Sequence, residues 1–295
     1  MEEHQEIPSI SIDSPRQTQQ IVEHPNGQHQ QYPPISVVIP ARNEARNLRH
    51  VLPIIPWFVH EIILVDGCST DDTVTLVEYL RPTIRPPIHI IMQTRKGKGN
   101  ALRVGCAAST GDIIVTLDAD GSADPREIPL FVEALLRGND FAKGSRCIRG
   151  GYSHDFSHLR RLGNYGLRKL VNLLFRARFT DLCYGYNAFW RHCLDDIEID
   201  CDGFEVETLL HIRAHRTHLR IIEVPSVEYR RIYGKSNLHA FRDGLYVLKT
   251  ILRERSKDEK FVRSPRIKTN PYIITDPKHP YIITDPFSAS EESIS

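Results

Sequence analysis

The sequence contains no apolar run that approaches the ~18 residues needed to span a membrane. Its charges nearly cancel, because 38 basic and 37 acidic side chains leave a formal net charge of +1. This balance gives no electrostatic reason for bulk nucleic-acid binding, so we predict no nucleic-acid partner. The amino-terminal residues also lack the basic and then apolar pattern of a signal peptide. The remaining composition, 40% hydrophobic and 25% charged, is typical of a soluble globular protein.

Cysteine pairs of the kind that bind zinc or exchange disulfides are also missing. The six cysteines are Cys68, Cys106, Cys147, Cys183, Cys193 and Cys201. They form neither a C-x-x-C pair nor another zinc spacing. We therefore predict free thiols in a reducing cytoplasm, and a cytoplasmic location for the protein.

Two glycine-rich phosphate motifs are incomplete. Gly97–Gly99 lies between a predicted strand and a predicted helix, as a dinucleotide fingerprint would, but Leu102 replaces the third glycine. Gly234–Ser236 resembles the end of a P-loop, but Tyr229 stands where that motif needs its first glycine. These gaps argue against a NAD site and a P-loop. Lys98 is still a candidate ligand for an anion, because a cation on a turn before a helix N-terminus is well placed to bind one. A solvated lysine is the alternative.

The chain is predicted to be one domain between two tails. Residues 1–34 are rich in Gln, His, Glu and Pro without periodic apolar positions, which predicts a disordered tail. Residues 256–295 have a similar character and are predicted to be flexible. They contain a short repeat, Pro271–Pro277 and Pro280–Pro286, whose two copies are too few for a solenoid. The domain at 35–255 is long enough for a substantial core.

Strands and helices alternate through the first half of this domain. The predicted strands are Ile35–Pro40, Glu61–Asp66, Ile88–Thr94, Asp112–Leu117, Phe141–Ser145 and Tyr186–Trp190. The predicted helices are Glu44–Leu52, Thr73–Leu80, Asn100–Ser109, Pro125–Arg137, Arg160–Ala177, Glu205–His215 and Leu238–Arg253. The alternation predicts an α/β fold with a mostly parallel central sheet and helices on both faces. We expect the half at about 35–124 to bind a nucleotide and the half at about 125–255 to bind the second substrate.

Asp118 and Asp120 end the apolar run Asp112–Leu117, which is predicted to be a buried strand. Side chains two positions apart on a strand point the same way, so both carboxylates should project from the carboxyl edge of the sheet. Two hard oxygen ligands on one side suit Mg²⁺ or Mn²⁺, which would grip a diphosphate. A solvated acidic turn is the alternative for this pair taken alone.

The segment Asp66–Thr73 follows the second predicted strand. Ser69, Thr70 and Asp71 are typical caps for the helix that comes next. That role does not involve Asp66, which ends the strand and is free to accept hydrogen bonds from a base or a ribose.

Four motifs resemble the inverting family-2 glycosyltransferases in order and spacing. They are Pro40–Glu44, Asp66–Thr73, Lys96–Ala101 and Asp118–Asp120. The resemblance covers about residues 35–255 and implies a GT-A fold in a single domain. Within the family the chain is most similar to the dolichol- or polyprenyl-phosphate mannosyl- and glucosyltransferases. Those enzymes move a sugar from GDP-mannose or UDP-glucose to a lipid phosphate.

The resemblance also implies roles for single residues. The residues implied to bind the nucleotide sugar are Pro40, Asn43, Glu44, Asp66, Lys98, Asp118, Arg231 and Lys235. Arg231 and Lys235 belong to a late basic segment that would close over the diphosphate. Asp118 and Asp120 are implied to hold Mg²⁺ or Mn²⁺. Ser122 stands where the lipid-phosphate enzymes often have Gln, so no third side-chain ligand is assigned.

The second half supplies the predicted acceptor side. Arg146, in a Ser-Arg pair that resembles the family's, is the predicted ligand of an acceptor phosphate, with a surface arginine as the alternative. Asp181 begins a segment that resembles the family's Asp-x-x-x-Gly-Phe and is predicted to be a base or an electrostatic support, with a strand-end cap as the alternative. Glu205, at a predicted helix start, is the second candidate for a base.

These features predict a metal-dependent, inverting transfer of a hexose from a nucleoside-diphosphate sugar to a polyprenyl or dolichyl phosphate. The alternatives are a soluble hydroxyl acceptor, such as a sugar or small metabolite, and a non-catalytic nucleotide-sugar binding protein. A nucleotide-sugar pyrophosphorylase would need a Gly-rich loop with Lys after the first strand, which Pro40–Glu44 does not provide. The basic amphipathic helix predicted at Arg160–Ala177 suits peripheral contact with anionic lipid at the inner membrane surface, and a core-packed helix with a solvated face fits it equally well.

Overall fold

The computed structural model describes residues 20–23 and 29–257, which are organised around a seven-stranded sheet. The strands are β1 (Gln20–Glu23), β2 (His29–Tyr32), β3 (Ile35–Ala41), β4 (Glu61–Asp66), β5 (Ile88–Met92), β6 (Ile113–Thr116), β7 (Phe141–Ser145), β8 (Tyr152–Ser153), β9 (Asn187–Trp190), β10 (Ile221–Pro225) and β11 (Val227–Glu228). The α-helices are α1 (Ala45–Val51), α2 (Thr73–Leu80), α3 (Lys98–Ala108), α4 (Ile128–Leu136), α5 (His158–Phe175), α6 (Val206–Arg216) and α7 (Ala240–Ser256). The strand order is β10-β7-β9-β6-β3-β4-β5, and all neighbours are parallel except the two pairs made by β9. The predicted α/β fold with a mostly parallel sheet is therefore confirmed.

The central strands are buried on both faces, as expected for parallel strands between layers of helices. All six residues of β4 and all four of β6 are buried. Helix α3 packs on β3 and β4, while α4 packs on β7 and β9. A Cβ added to Gly105 of α3 would lie 2.4 Å from Val38, so this close approach of helix and sheet requires glycine. The result is a rigid sheet whose carboxyl edge is free to hold a site.

A second, smaller hydrophobic core lies among three helices of the carboxyl-terminal half. Val171 of α5, Ile212 of α6, and Val247 and Ile251 of α7 meet there, and all are buried. The opposite sides of α5 and α7 are consequently turned away from this core. Within the described ranges, no helix combines the length and the apolar content that crossing a membrane requires.

Two regions differ from the sequence-based expectation. β1 and β2 form an antiparallel pair inside residues 1–34, for which we predicted a disordered tail, and Tyr32 is buried with its ring centroid 4.8 Å from that of Phe58. Strand β10 was not predicted, because it is an edge strand with a single buried residue and so lacks an apolar pattern. The domain boundaries stay a prediction, and residues 258–295, which contain the short repeat, lie outside the described residues.

Candidate active site

The loops after β3 and β4 are tied together at the carboxyl edge of the sheet. The backbone N–H of Asn43 donates to Ser69 Oγ (2.9 Å), and Asn43 Oδ1 accepts the backbone N–H of Thr70 (2.7 Å). Asn43 has φ 57°, in the left-handed region that Asn tolerates better than most residues. Pro40 is half-buried near the end of β3, opposite Val65 of β4. The structure therefore brings the two predicted nucleotide-binding loops into contact.

Asp66, the last residue of β4, is 1% exposed and carries an unpartnered oxygen. Its Oδ2 accepts the backbone N–H of Ser69 at 3.0 Å. Its Oδ1 is buried without a hydrogen-bond partner. Buried polar atoms are nearly always paired, so this oxygen is a ready acceptor for an N–H or O–H of a bound molecule.

Lys98, the first residue of α3, links two carboxylates. Its Nζ lies 2.6 Å from Asp118 Oδ1 and 2.7 Å from Glu207 Oε1. Burial alone would lower the pKa of Lys98, but the two carboxylates outweigh burial and hold that pKa above its ordinary value. Burial raises the pKa of Glu207, although Lys98 opposes the rise. The site thus holds a buried cation between two acids, one of them at the end of β6.

The glycines of Gly97–Gly99 serve packing. A Cβ on Gly97 would lie 2.0 Å from the carbonyl oxygen of Asp202, and a Cβ on Gly99 would lie 2.5 Å from that of Cys201. The backbone N–H of Gly99 also donates to the Asp202 carbonyl at 2.8 Å. The first turn of α3 therefore packs on residues 201–203 rather than presenting free amides to an anion, and this packing brings α6 close to Lys98.

Glu207 is a site residue that the sequence reasoning missed. The predicted residue was Glu205, which directly precedes α6 and whose Oε1 accepts the backbone N–H of Gly203 at 3.3 Å. Side chains two positions apart on a helix do not share a face, and no local pattern shows which one turns inward. Gly185 makes room for the inward one, because a Cβ there would lie 2.6 Å from both Lys98 Nζ and Glu207 Oε1.

Arg231 joins the second metal-ligand candidate to the first loop. Its Nη2 lies 2.8 Å from Glu44 Oε1, and its Nε lies 3.4 Å from Asp120 Oδ2. The backbone N–H of Tyr233 donates to Asn47 Oδ1 at 2.8 Å, which pins the segment that carries Arg231 against α1. The structure therefore brings the predicted residues Glu44, Asp120 and Arg231 together, although they lie far apart in the sequence.

A cavity of about 270 Å³ opens beside this ion pair. It is lined by Arg42, Asn43, Glu44, Arg231, Gly234, Lys235 and Asn237. Arg231 and Lys235 belong to the late basic segment, whereas Asn43 and Glu44 belong to the loop after β3. Two predicted groups of nucleotide-sugar ligands thus share one opening, whose lining includes the basic side chains of Arg42, Arg231 and Lys235.

The residues present fit a hard divalent cation. Asp118 and Asp120 follow β6 on one short loop, and their side chains are 35% and 20% exposed. Within the described residues there is no cluster of three or more His, Cys, Asp or Glu side chains that would form an all-protein metal cage. Magnesium is commonly held by one or two carboxylates together with substrate phosphates, and this pair matches that pattern. Ser122 uses its backbone N–H to hold Asp120 Oδ1 at 2.9 Å.

Arg146 and Asp181 form a buried ion pair away from solvent. Arg146 Nε donates to Asp181 Oδ2 (2.7 Å), Nη2 donates to Oδ1 (2.9 Å), and Nη1 donates to Glu228 Oε2 (3.0 Å). Asn164 Nδ2 donates to Asp181 Oδ1 at 3.0 Å. Burial alone would raise the pKa of Asp181, but Arg146 outweighs burial and holds that pKa well below its usual range.

This geometry bears on two of the predicted roles, those of Asp181 and Arg146. Asp181 is fully buried with both oxygens occupied by donors, so it is badly placed to take a proton from an acceptor. The Arg146 guanidinium lies over the rings of Phe156 and Tyr184, 4.0 and 4.7 Å from their centroids, and its side chain is 4% exposed. The geometry favours the predicted electrostatic support by Asp181 over the predicted base, while the acceptor-phosphate role of Arg146 stays a prediction. The surface-arginine alternative does not describe the buried Arg146. Asp181 does accept the backbone N–H of Arg146, the residue after β7, as a strand-end cap would.

The mostly parallel sheet, the acidic pair at its carboxyl edge and the basic opening beside it define a transferase of the GT-A class. The chain belongs to glycosyl transferase family 2, whose family model matches residues 36–197. The family-2 resemblance of the four sequence motifs is thereby confirmed.

Relatives of the chain have names that refer to lipid-phosphate sugars. Dolichol-phosphate mannosyltransferase of Pyrococcus furiosus is 29% identical over 212 residues, covering 69% of this chain and 59% of that protein. Undecaprenyl-phosphate mannosyltransferase of Micrococcus luteus is 29% identical over 213 residues, covering 69% of this chain and 87% of that protein. Polyprenol monophosphomannose synthase of Mycolicibacterium smegmatis is 30% identical over 215 residues, covering 68% and 80%. The chain thus spans less than two thirds of the length of the Pyrococcus protein.

Solved structures agree on the fold. Glucosyl-3-phosphoglycerate synthase of Mycobacterium tuberculosis, in complex with Mn²⁺, UDP and glucosyl-3-phosphoglycerate, has a TM-score of 0.59 and 26% identity and covers 77% of this chain and 81% of that one. The same enzyme with Mg²⁺ and UDP has a TM-score of 0.61 and 24% identity and covers 77% and 80%. These matches confirm the predicted GT-A fold.

Proposed function

We propose that this protein is an inverting glycosyltransferase that moves a hexose from a GDP-mannose- or UDP-glucose-type donor to a polyprenyl or dolichyl phosphate. The observation that carries the proposal is the acidic carboxyl edge of the sheet, where buried Asp66 ends β4 and the Asp118/Asp120 pair follows β6. Membership of family 2 and the lipid phosphates named in three relatives support it.

The donor is proposed to lie across the ends of β3, β4 and β6. The free Oδ1 of Asp66 would accept a hydrogen bond from the base or the ribose. Arg231 and Lys235, on the wall of the cavity, would bind the diphosphate, since guanidinium and ammonium groups are strong phosphate ligands. Lys98 would then stand near the sugar end through its contact with Asp118.

Mg²⁺ or Mn²⁺ is the proposed cofactor, with Asp118 and Asp120 as its protein ligands. When bound, such an ion supplies positive charge that stabilises the departing diphosphate. Lys98 and Arg231, which pair with these two carboxylates, would add further positive charge beside the diphosphate. The complex with Mn²⁺ and UDP of the mycobacterial relative supports the presence of a divalent ion.

A phosphate acceptor matches the lack of an accessible base at Asp181. A phosphate monoester is already an anion, so it needs little help from a base to attack the anomeric carbon. Arg149 is exposed, and within the described residues it has no ion-pair partner, so it remains available for an anionic acceptor. Arg149 lies in the loop between β7 and β8, and β8 pairs with β11, the strand that leads to Arg231.

A soluble hydroxyl acceptor is the second candidate. The observation that favours it is Glu207, a buried carboxyl beside Lys98 whose pKa is raised by burial. A carboxyl of that kind can act as the general base that a hydroxyl requires. A mycobacterial structural relative, solved with glucosyl-3-phosphoglycerate, shows a product of soluble character on the same fold.

The test is a matrix of donors and acceptors with the purified full chain. GDP-mannose, UDP-glucose and their epimers would be offered with a short-chain polyprenyl phosphate, with sugars and with 3-phosphoglycerate, in the presence and absence of Mn²⁺. Release of nucleoside diphosphate and the mass of the product are measured. We expect a hexosyl polyprenyl phosphate that forms only with the divalent ion.

Three results would contradict this proposal in different ways. Product from a hydroxyl acceptor alone would replace the lipid phosphate with the second candidate. Full activity in the presence of a chelator would remove the cofactor. Tight donor binding without any release of diphosphate would identify a nucleotide-sugar binding protein.

Replacement of Asp66 with Ala should weaken the binding of free nucleoside diphosphate more than it slows transfer at saturating donor. The variant removes one buried acceptor, and a lost hydrogen bond of about 0.5–1.5 kcal/mol raises Kd by up to roughly tenfold. Isothermal titration with UDP and GDP measures the change. Asp72→Ala is the matched control, because it removes the same charge from an exposed position of the same loop. Equal affinities for Asp66→Ala and the parent protein would remove Asp66 from the donor site.

We also propose that the protein meets its lipid substrate from the membrane surface. The acceptor phosphate would be presented at the level of the lipid headgroups, which an enzyme bound peripherally can reach.

A further inference from the structure

Large apolar side chains are unevenly distributed over the surface of this protein. Of the seventeen that are exposed among the described residues, eight lie on α5 and α7. On α5 they are Leu159, Leu162, Tyr165 and Leu173, and on α7 they are Phe241, Leu245, Tyr246 and Leu252. We call this set the two-helix face. Clusters of this kind mark a surface that is covered in the working protein.

The spacing places the α7 residues in one stripe. Phe241, Leu245 and Leu252 are separated by four and seven residues, close to whole helical turns, so they share a side of the helix. They are 78%, 67% and 55% exposed. Val247 and Ile251, on the other side of the same helix, are buried in the core shared with α5 and α6.

Helix α5 repeats the arrangement. Leu162 and Leu173 are eleven residues apart, which is close to three turns, and they are 69% and 77% exposed. Val171 on the opposite side enters the same core as α7. Helices α5 and α7 pack against each other, and each carries its apolar stripe on the side away from the core that they share.

The charge of helix α5 distinguishes two possible partners of the two-helix face, a second copy of the chain and an anionic bilayer. Helix α5 carries Arg160, Arg161, Arg168 and Lys169 and contains no acidic residue. A symmetric pair of copies would bring the same patch onto itself and set these cations against one another. An anionic bilayer offers apolar depth for the leucines and phenylalanine and negative headgroups for the flanking bases.

The two-helix face also ends at the candidate site. Arg160, in the first turn of α5, donates from Nη2 to Ser236 Oγ at 3.2 Å, within the segment that lines the cavity. Helix α7 begins at Ala240, three residues after the cavity residue Asn237. A bilayer that covered both helices would therefore lie next to the opening where the donor is proposed to bind.

We infer that the two-helix face is a membrane-binding surface that lies on anionic lipid, with the apolar stripes of α5 and α7 inserted among the acyl chains. The inference rests on the proposed lipid acceptor for its biological use, but the physical contact is tested separately. The basic side chains hold the headgroups, and the apolar side chains give the contact its resistance to salt.

The experiment measures flotation of the full chain with vesicles of phosphatidylcholine, with and without phosphatidylglycerol. The parent protein should bind the anionic vesicles. Leu245→Glu/Leu252→Glu should lower the bound fraction by about tenfold or more. The variant loses two inserted leucines and gains two negative charges, which the anionic headgroups repel. Tyr79→Glu/Leu130→Glu is the matched control, since both residues are exposed apolar residues of other helices, at 78% and 49%. It should bind like the parent protein.

A second variant distinguishes the electrostatic contribution to vesicle binding from the contribution of the inserted apolar side chains. Arg161→Glu/Lys169→Glu should lower binding at low ionic strength, whereas the leucine variant should lower it at every ionic strength. Circular dichroism of each variant checks that the helices are retained. The inference would be overturned if the parent protein did not float with anionic vesicles. It would also be overturned if the leucine variant bound these vesicles as well as the parent protein does.

Transfer assays distinguish failure of the surface from failure of the function. With a short-chain, water-soluble polyprenyl phosphate, the leucine variant should keep the parent rate. With a long-chain acceptor in vesicles, its rate should fall along with binding. Vesicle binding without transfer to either acceptor would sink the proposed function and leave the membrane surface standing. A parent dimer that the leucine variant converts to a monomer would instead assign this face to a second copy of the chain.

Discussion

Asp120→Asn should reduce metal-dependent transfer by about 10³-fold in kcat/KM while the fold is retained, which corresponds to a loss of about 4 kcal/mol of transition-state stabilisation. The variant removes one of two carboxylates at the end of β6 and leaves an amide that is a poor ligand for a hard divalent ion. It keeps an oxygen for the backbone N–H of Ser122 (2.9 Å), so the loop need not change. The measurement is a steady-state assay at several Mn²⁺ concentrations.

A second readout keeps this prediction independent of activity. Mn²⁺ binding in the presence of nucleoside diphosphate, followed by electron paramagnetic resonance, should be strongly weakened in Asp120→Asn. Asp124→Asn is the matched control, since Asp124 lies on the same loop but pairs with Arg126 outside the site (2.7 Å). Near-normal turnover and Mn²⁺ binding by purified Asp120→Asn would remove this residue from the metal assignment.

Arg146→Met should lower the free energy of unfolding by about 3–5 kcal/mol at neutral pH, which is the cost of leaving one charge of a buried pair alone. Asp181 would keep a buried carboxylate without its guanidinium partner, and Glu228 would lose the same partner. Urea unfolding of parent and variant measures the difference. Arg126→Met, which breaks an exposed pair, is the control and should leave stability nearly unchanged.

The pH dependence of this variant should have the opposite sign from that of the parent protein. In the parent, Arg146 holds the pKa of Asp181 well below its usual range, so the contribution of the pair is present above the unfolded pKa of about 3.9 and is lost as pH falls through the lower folded value. In the variant, burial raises the pKa of Asp181 against the weaker opposition of the Asn164 amide, the backbone N–H of residue 146 and Lys143, so we expect stability to fall as pH rises through the mildly acidic range.

A compensating change completes this test. Arg146→Met/Asp181→Leu removes both charges, and it should recover much of the stability that Arg146→Met loses, because apolar replacements of a buried pair are often neutral or better. If the single variant were as stable as the parent at neutral pH, the buried pair would not contribute to the stability of the fold.

The strands of the first half, and the site residues that follow them, could be predicted from the sequence. Strand Glu61–Asp66 has the bounds that the apolar pattern predicts, because burial on both faces of a parallel sheet leaves a continuous apolar run. Helix Thr73–Leu80 also has its predicted bounds. Asp66 and Asp118 follow such runs directly, so their place at the carboxyl edge needs only the rule that parallel strands end together. Edge strand β10 escaped prediction because most of its side chains are not buried.

The sequence by itself therefore determined the α/β alternation, the acidic edge of the sheet and the membership of family 2. Those features depend on local order along the chain, in which a buried strand is followed by a polar loop. The tertiary structure decided what the long-range partners are: Glu207 rather than Glu205 meets Lys98, 109 residues away, and Arg146 meets Asp181 rather than solvent. Neither pairing leaves a local pattern, because each side chain takes its orientation and charge environment from elements that only folding brings together.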